Sequence, residues 1–258
     1  MTSTKHLLTE QPGTFANPKC YLHFLGGCCE KMTKEHLMSR KMTFPGPKPL
    51  RDYAGNPLVN PTPLAETAKI LCKNHNSGLS AFDTAGTNLF NAVEAANRLE
   101  NGTVEINGND LERFMMQRLC AHTFSNVATF RGVPLGCRVP QELIREIFTQ
   151  EEIARPWGLY LTIPPEYIDK PGVNMEFAPF YNLPTDQAIG CRISFGRVSL
   201  AAIFGPVSPG LPLQYYRMAG FRFWVDGAKS FEIRLHWKSG AQSDFIDLDY
   251  DRTPVTTN

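Results

Sequence analysis

"CYLHFLGGCCEKMTKEHLMS" (residues 20–39) and "ILCKNHNSGLS" (residues 70–80) together hold four of the chain's seven cysteines and three of its six histidines. Two short turns far apart in sequence, each supplying two ligands, are the usual way to close a tetrahedral structural zinc site. The second pair is Cys72 and His75, separated by two residues. The first pair begins at Cys20 and leaves a choice. Cys28 would enclose a longer turn containing Gly26 and Gly27, and the softness of thiolate favours it. His23 has the same two-residue spacing as the second pair. Cys29 is the third choice.

The rest of the chain frames this cluster. At 258 residues, 42% hydrophobic and 20% charged, it can bury a substantial core and reads as an ordinary soluble composition. No apolar run is long enough for a membrane span. The opening "MTSTKHLLTEQPGTF" has no apolar signal core, so a cytoplasmic location is expected. Seven unevenly spaced cysteines without an export signal point to a metal or catalytic site rather than a disulfide framework. Cys120, Cys137 and Cys191 sit among apolar residues and read as inert core thiols. The net charge of +1 hides an asymmetry: residues 1–75 carry ten Lys/Arg against five Asp/Glu, so the Cys/His part is the basic part. Such a bias favours polyanions.

The expected class is α+β. Residues 1–19 read as an arm. Residues 44–64, rich in Pro and Gly, read as an irregular loop. A helix is expected from Asp83 as its cap, with Leu89, Phe90, Val93, Ala96 and Leu99 on one face. "NG" at 101–102 and "INGND" at 106–110 read as breaks. Further helices fit residues 110–122, with Leu111, Phe114, Met115 and Leu119 at helical spacing, and residues 141–153. After Pro156 the pattern alternates with period two in "GLYLTIP", "CRISFGRVSLAAIFG", "FRFWV" and "FEIRLHW", predicting a mainly antiparallel sheet. "DGAKS" reads as a hairpin loop of about five residues, and the tail from Ser243 as a fraying end. Two domains are expected: residues 1–125 with the metal site and helices, and residues 126–258, β-rich and suited to target or partner recognition. The aromatic residues of that half (Trp157, Tyr160, Tyr215, Tyr216, Phe221, Phe223, Trp224 and Trp237) read chiefly as strand core.

Between the two pairs stand Glu35–His36, and Asn76 directly follows His75. On these residues the segment 18–95 resembles the HNH (ββα-metal, His-Me finger) endonuclease family, in particular its zinc-braced type similar to phage endonuclease VII. The resemblance rests on "C…C/H", "TKEHLMS" and "LCKNHN", in that order. It implies an N-terminal zinc-braced ββα-metal module and phosphodiester hydrolysis, most plausibly of DNA. His36 would be the general base, and Glu35 and Asn76 would hold a catalytic Mg²⁺ or Mn²⁺ beside the structural Zn²⁺. The chemistry suits those residue types. An imidazole titrates near neutrality and can take a proton from water, while a divalent cation stabilises charge on the phosphate and the departing oxygen. Glu35 and His36 are adjacent, so a flat strand would point them to opposite faces; a bend or strand end is expected there. Arg40, Lys41, Lys48 and Lys73 are candidate phosphate contacts. Two departures stand out. The family's middle Asn, which braces the base histidine through backbone contacts, has no clear match: Asn60 is distant from Cys72, and Thr67 is nearer the expected place. No basic residue follows Asn76. The resemblance further suggests bacterial defence against phage or mobile elements, with a protein partner that triggers or restrains cleavage. The competing reading is a catalytically inactive zinc module that binds nucleic acid or protein.

Overall fold

The computed structural model describes residues 7–38, 67–126, 129–130, 133–134, 138–162, 175–195, 198–206 and 212–250. The expected loop at 44–64, with Arg40, Lys41, Lys48 and Asn60, lies outside these residues, as does Cys137. The chain is α+β, with four α-helices among the described residues and a mainly antiparallel C-terminal part.

β1 (Met32–His36) pairs antiparallel with β2 (Thr67–Cys72), and α1 (Lys73–Gly78) follows without a break. The register shifts between Thr33 and Glu35, and the last rung sets His36 opposite Thr67. α2 (Ser80–Asn97) packs on α3 (Gly108–Phe124). Asp83 does not cap α2 but lies in its first turn. Leu89, Phe90, Val93 and Ala96 are buried as their spacing predicts, whereas Leu99 falls past the helix end and is exposed. The helix expected over 110–122 starts slightly earlier because the Asn107 side chain caps it, accepting from the N–H of Asp110 at 3.1 Å. The segment read as two breaks is β3 (Gly102–Asn107). It is a strand because β12 (Ala228–His236) offers it a parallel edge, a tertiary pairing that local turn residues do not reveal.

β4 (Thr129–Phe130) and β5 (Val133–Pro134) form a short antiparallel pair, and α4 (Gln141–Thr149) ends earlier than its predicted boundary. The remaining strands are β6 (Gly158–Thr162), β7 (Met175–Asn182), β8 (Gln187–Phe195), β9 (Val198–Ile203), β10 (Leu213–Tyr216), β11 (Met218–Val225), β12 (Ala228–His236) and β13 (Ser243–Tyr250). One sheet runs β10-β6-β9-β8-β7, antiparallel throughout. The other runs β13-β11-β12-β3; β11 and β12 are antiparallel, while β13 and β3 add as parallel edges. The β11–β12 hairpin closes through two residues, Asp226 and Gly227, both at positive φ, so the loop is shorter than "DGAKS". Residues 251–258 lie outside the described residues, and Ser243–Tyr250 is a strand rather than part of a frayed tail. Its pairing with β11 is strengthened by Trp224 Nε1–H donating to Asp247 at 2.8 Å.

α3 touches both sheets and β2. Every residue from Leu111 to Thr123 is buried, so this helix is core on all sides. The division expected at residue 125/126 is therefore not a break in the core: one apolar cluster runs from Cys20 to Trp237, and β3 belongs to the sheet of β11–β13. Of the aromatic residues, Phe221 and Phe223 are fully buried, while Tyr215 is exposed. Among the described residues, no helix is long and apolar enough to cross a membrane.

Candidate metal centre

The turn between Cys20 and Cys28 is built by its main chain. A short 3-10 turn at His23–Leu25 leads into Gly26 and Gly27, both at positive φ. A Cβ on Gly26 would lie 2.0 Å from the Gln11 carbonyl oxygen, so only glycine allows this closeness. The arm of residues 7–19 is pinned rather than loose. Gln11 N–H donates to Leu25 O at 2.7 Å, Cys28 N–H to Phe15 O at 3.0 Å, and buried Asn17 donates to the carbonyls of Cys29 and Glu30 at 3.3 Å. The turn is tied to the ββα unit by Tyr21 N–H to Ile70 O and by Asn74 Nδ2 to Gly27 O.

These contacts bring Cys20, Cys28, Cys72 and His75 together, all buried, with ligand atoms within 4.8 Å of one another. His75 Nδ1 lies 3.3, 3.6 and 3.5 Å from the sulfurs of Cys20, Cys28 and Cys72. Zinc bound at its usual distances would set tetrahedral sulfur–nitrogen edges of about 3.6 Å. The four residues thus form a group that could hold a metal ion such as zinc. Among the described residues it is the one such Cys/His/Asp/Glu group.

The electrostatics suit cation capture. Burial pushes the Cys20 and Cys28 thiols up, so without a cation they stay protonated. Burial acts the same way on Cys72, but the N–H groups of His75 and Cys29 and the two neighbouring thiols outweigh it and bring its pKa down. Burial lowers His75, keeping the imidazole neutral with a lone pair free for a metal.

The choice left open within the first pair falls to Cys28. The His23 ring is turned away, its Nδ1 2.9 Å from the Cys20 carbonyl oxygen, so His23 is not a ligand here. Cys29 is partly exposed and its thiol points toward Lys31 O.

Glu35, His36 and Asn76 do not join the Cys/His cluster, although they neighbour its members in sequence. Glu35 is 3% exposed, and its Oε1 accepts from Arg118 at 2.6 Å and Gln117 Nε2 at 3.1 Å. His36, at the end of β1, and Asn76, inside α1, are partly exposed. Strand alternation thus separates the neighbours Glu35 and His36: the first faces the core, the second does not. Among the described residues no hydrogen-bond partner ties down the His36 or Asn76 side chain. Thr67 is exposed at the start of β2, and Lys73 is exposed on α1.

Arg118 and Gln117, on α3, are the residues that sequence reading missed. They come from within the span expected to be helical, but their partner Glu35 is 83 and 82 residues away, and no local spacing signals the pairing. Asp83 also reaches Arg118, at 3.3 Å.

No protein-family model matches the chain, and no curated protein or solved structure matches it.

Proposed function

We propose that this chain is a metal-dependent endonuclease of the HNH type that hydrolyses phosphodiester bonds, DNA foremost. The observation that carries the reading is the order of parts. A Cys₃His cluster holds the junction of β2 and α1, His36 ends the paired β1, and Asn76 directly follows the ligand His75. In this reading the cluster holds structural zinc, which fixes the start of α1 and through it Asn76. His36, partly exposed and free to accept a proton, acts as general base toward water. Glu35 and Asn76 would hold the Mg²⁺ or Mn²⁺ that, when bound, supplies charge stabilisation at the phosphate. The hydrogen bonds from Arg118 and Gln117 both fall on Glu35 Oε1, which leaves Oε2 for a cation.

The test is plasmid nicking by the purified protein in Mg²⁺ or Mn²⁺ beside His36→Ala. Loss of a general base should slow nicking by roughly 10²-fold or more. Nicking that survives unchanged in His36→Ala sinks the assignment.

A second reading has one specific observation in its favour. The Glu35 carboxylate is already neutralised by the buried Arg118 guanidinium, so a second cation beside it meets a like charge. That favours a zinc module that binds nucleic acid or a partner without cutting. Zinc retention with DNA binding but no nicking under any divalent metal would select it.

A further inference from the structure

We infer that Arg118 is the positioning residue of His36, holding from the central helix the peptide groups that aim its ring. One NH1 donates to the carbonyl oxygens of both His36 and Leu37, the latter at 3.2 Å. NH2 binds Glu35 Oε1 at 2.6 Å and lies 3.3 Å from Asp83. Three consecutive residues at the end of β1 are therefore held by one side chain from α3.

The location makes this more than a stabilising ion pair. Among the described residues β1 stops at His36, and the last rung of its ladder is the His36–Thr67 pair. A strand end frays unless its carbonyls find other donors. Arg118 supplies them, as a rigid planar fork whose directions are set in advance. The guanidinium is fully buried and rests over the Phe114 ring at 5.5 Å, which limits its own freedom. Burying an ion pair is costly, and apolar residues in place of both partners often give equal or better stability. What an apolar residue cannot do is hold two carbonyls and a carboxylate in fixed relation. The His36 backbone is thus anchored while its side chain remains partly exposed. The sequence has no clear match for the asparagine that would brace this histidine from nearby. Arg118 braces it from 82 residues away.

The catalytic meaning rests on the nuclease reading; the positioning itself does not. Arg118→Lys keeps the charge opposite Glu35 and removes the fork. Hydrogen exchange by mass spectrometry, zinc content and nicking kinetics are measured on wild type, Arg118→Lys and His36→Ala. The expected result is exchange raised about 10-fold or more over residues 33–38, unchanged over α1 and β8, with zinc retained. In nicking, kcat falls on the order of 10²-fold while KM for plasmid holds, as for a displaced reacting group. Wild-type exchange at 33–38, or wild-type kcat, overturns the proposal. So does loosening that spreads to α1 with loss of zinc, which marks a merely structural role. If wild type does not nick but exchange responds as stated, the positioning stands and the nuclease reading falls. Should Arg118→Lys not fold, Glu35→Gln/Arg118→Met removes fork and carboxylate together and is read by exchange at 33–38 alone, with the same two outcomes.

Discussion

Between Cys20 and Gly78 the chain gathers three cysteines and a histidine into a buried cluster drawn from the Cys20–Cys28 turn, the end of β2 and a six-residue helix. Between Gly158 and Trp237 it buries Phe177, Ile193, Phe195, Leu200, Phe221, Phe223 and Ile233 across two sheets. The two regions share one apolar cluster and one central helix, yet they satisfy different requirements. The first is built from elements of five and six residues, and helices of this length are marginal in water. The second has ladders and aromatic burial enough to hold its own geometry.

Metal removal breaks the comparison most sharply. A structural zinc contributes on the order of 10 kcal/mol to the fold of the element it closes. Chelation, or Cys72→Ser, should release hydrogen exchange over residues 20–36 and 67–78 and leave β8, β9, β11 and β12 protected. If exchange stays uniform along the chain after the metal is gone, the cluster does not hold the module. The reverse perturbation is Phe221→Ala. This fully buried ring sits on the central strand of the four-stranded sheet, and its truncation should lower global stability by about 3–5 kcal/mol. Denaturant titration gives the magnitude, and zinc stoichiometry should not change.

The same contrast explains what could be read from the sequence. Metal-seeking residues declare themselves by type and by short spacing, so the Cys72/His75 pair and Cys20 were legible. The choice of Cys28 over His23 was not, because it depends on the His23 ring turning back to the Cys20 carbonyl. In the sheets, period-two alternation marked β6, β8, β9, β11 and β12, although β9 is buried at all six positions and β8 at all but two. β3 and β13 escaped because they are parallel edge strands that exist through their neighbours. The buried charged contacts of α3 escaped for the same reason. Glu112 meets Arg217 and the Leu159 N–H, Arg113 meets the carbonyls ending α4, and Arg118 meets Glu35. Each partner is remote in sequence, and the Glu112 and Arg113 contacts cross residue 125.

His122 sharpens the comparison by pH. It lies in α3, 2% exposed, stacked on Phe177 with ring centroids 4.1 Å apart. Burial first, and the Arg118 charge second, lower its pKa from 6.5 to about 3. The unfolded chain then binds this proton at higher pH than the folded one does. The stabilisation is fully present above about 6.5 and is lost as pH falls toward about 3. Over that window the loss is on the order of a few kcal/mol. His122→Phe should flatten this slope in a pH series of denaturant midpoints. An unchanged slope would place the acid sensitivity in the Cys/His cluster instead, whose ligands are also protonated there.

The smallest effect concerns where the shared helix begins. α3 serves both regions, and its first turn is set by the Asn107 side chain accepting from the Asp110 N–H. Asn107 is also the last residue of β3, on the rung that pairs it with His236. One residue therefore closes the strand and opens the helix. Asn107→Ala keeps the backbone ladder and leaves one helix N–H without its acceptor, a change worth about 1 kcal/mol. Asn107→Asp restores an acceptor and should recover most of it, since an anion at a helix start is favourable. Denaturant midpoints of the two variants check the pair. Because α3 carries Arg118 as well as Glu112, Asn107→Ala should lower stability without changing exchange over residues 33–38. If exchange there rises with so small a loss, the start of α3 and the end of β1 are coupled more tightly than the separate contacts along the helix require.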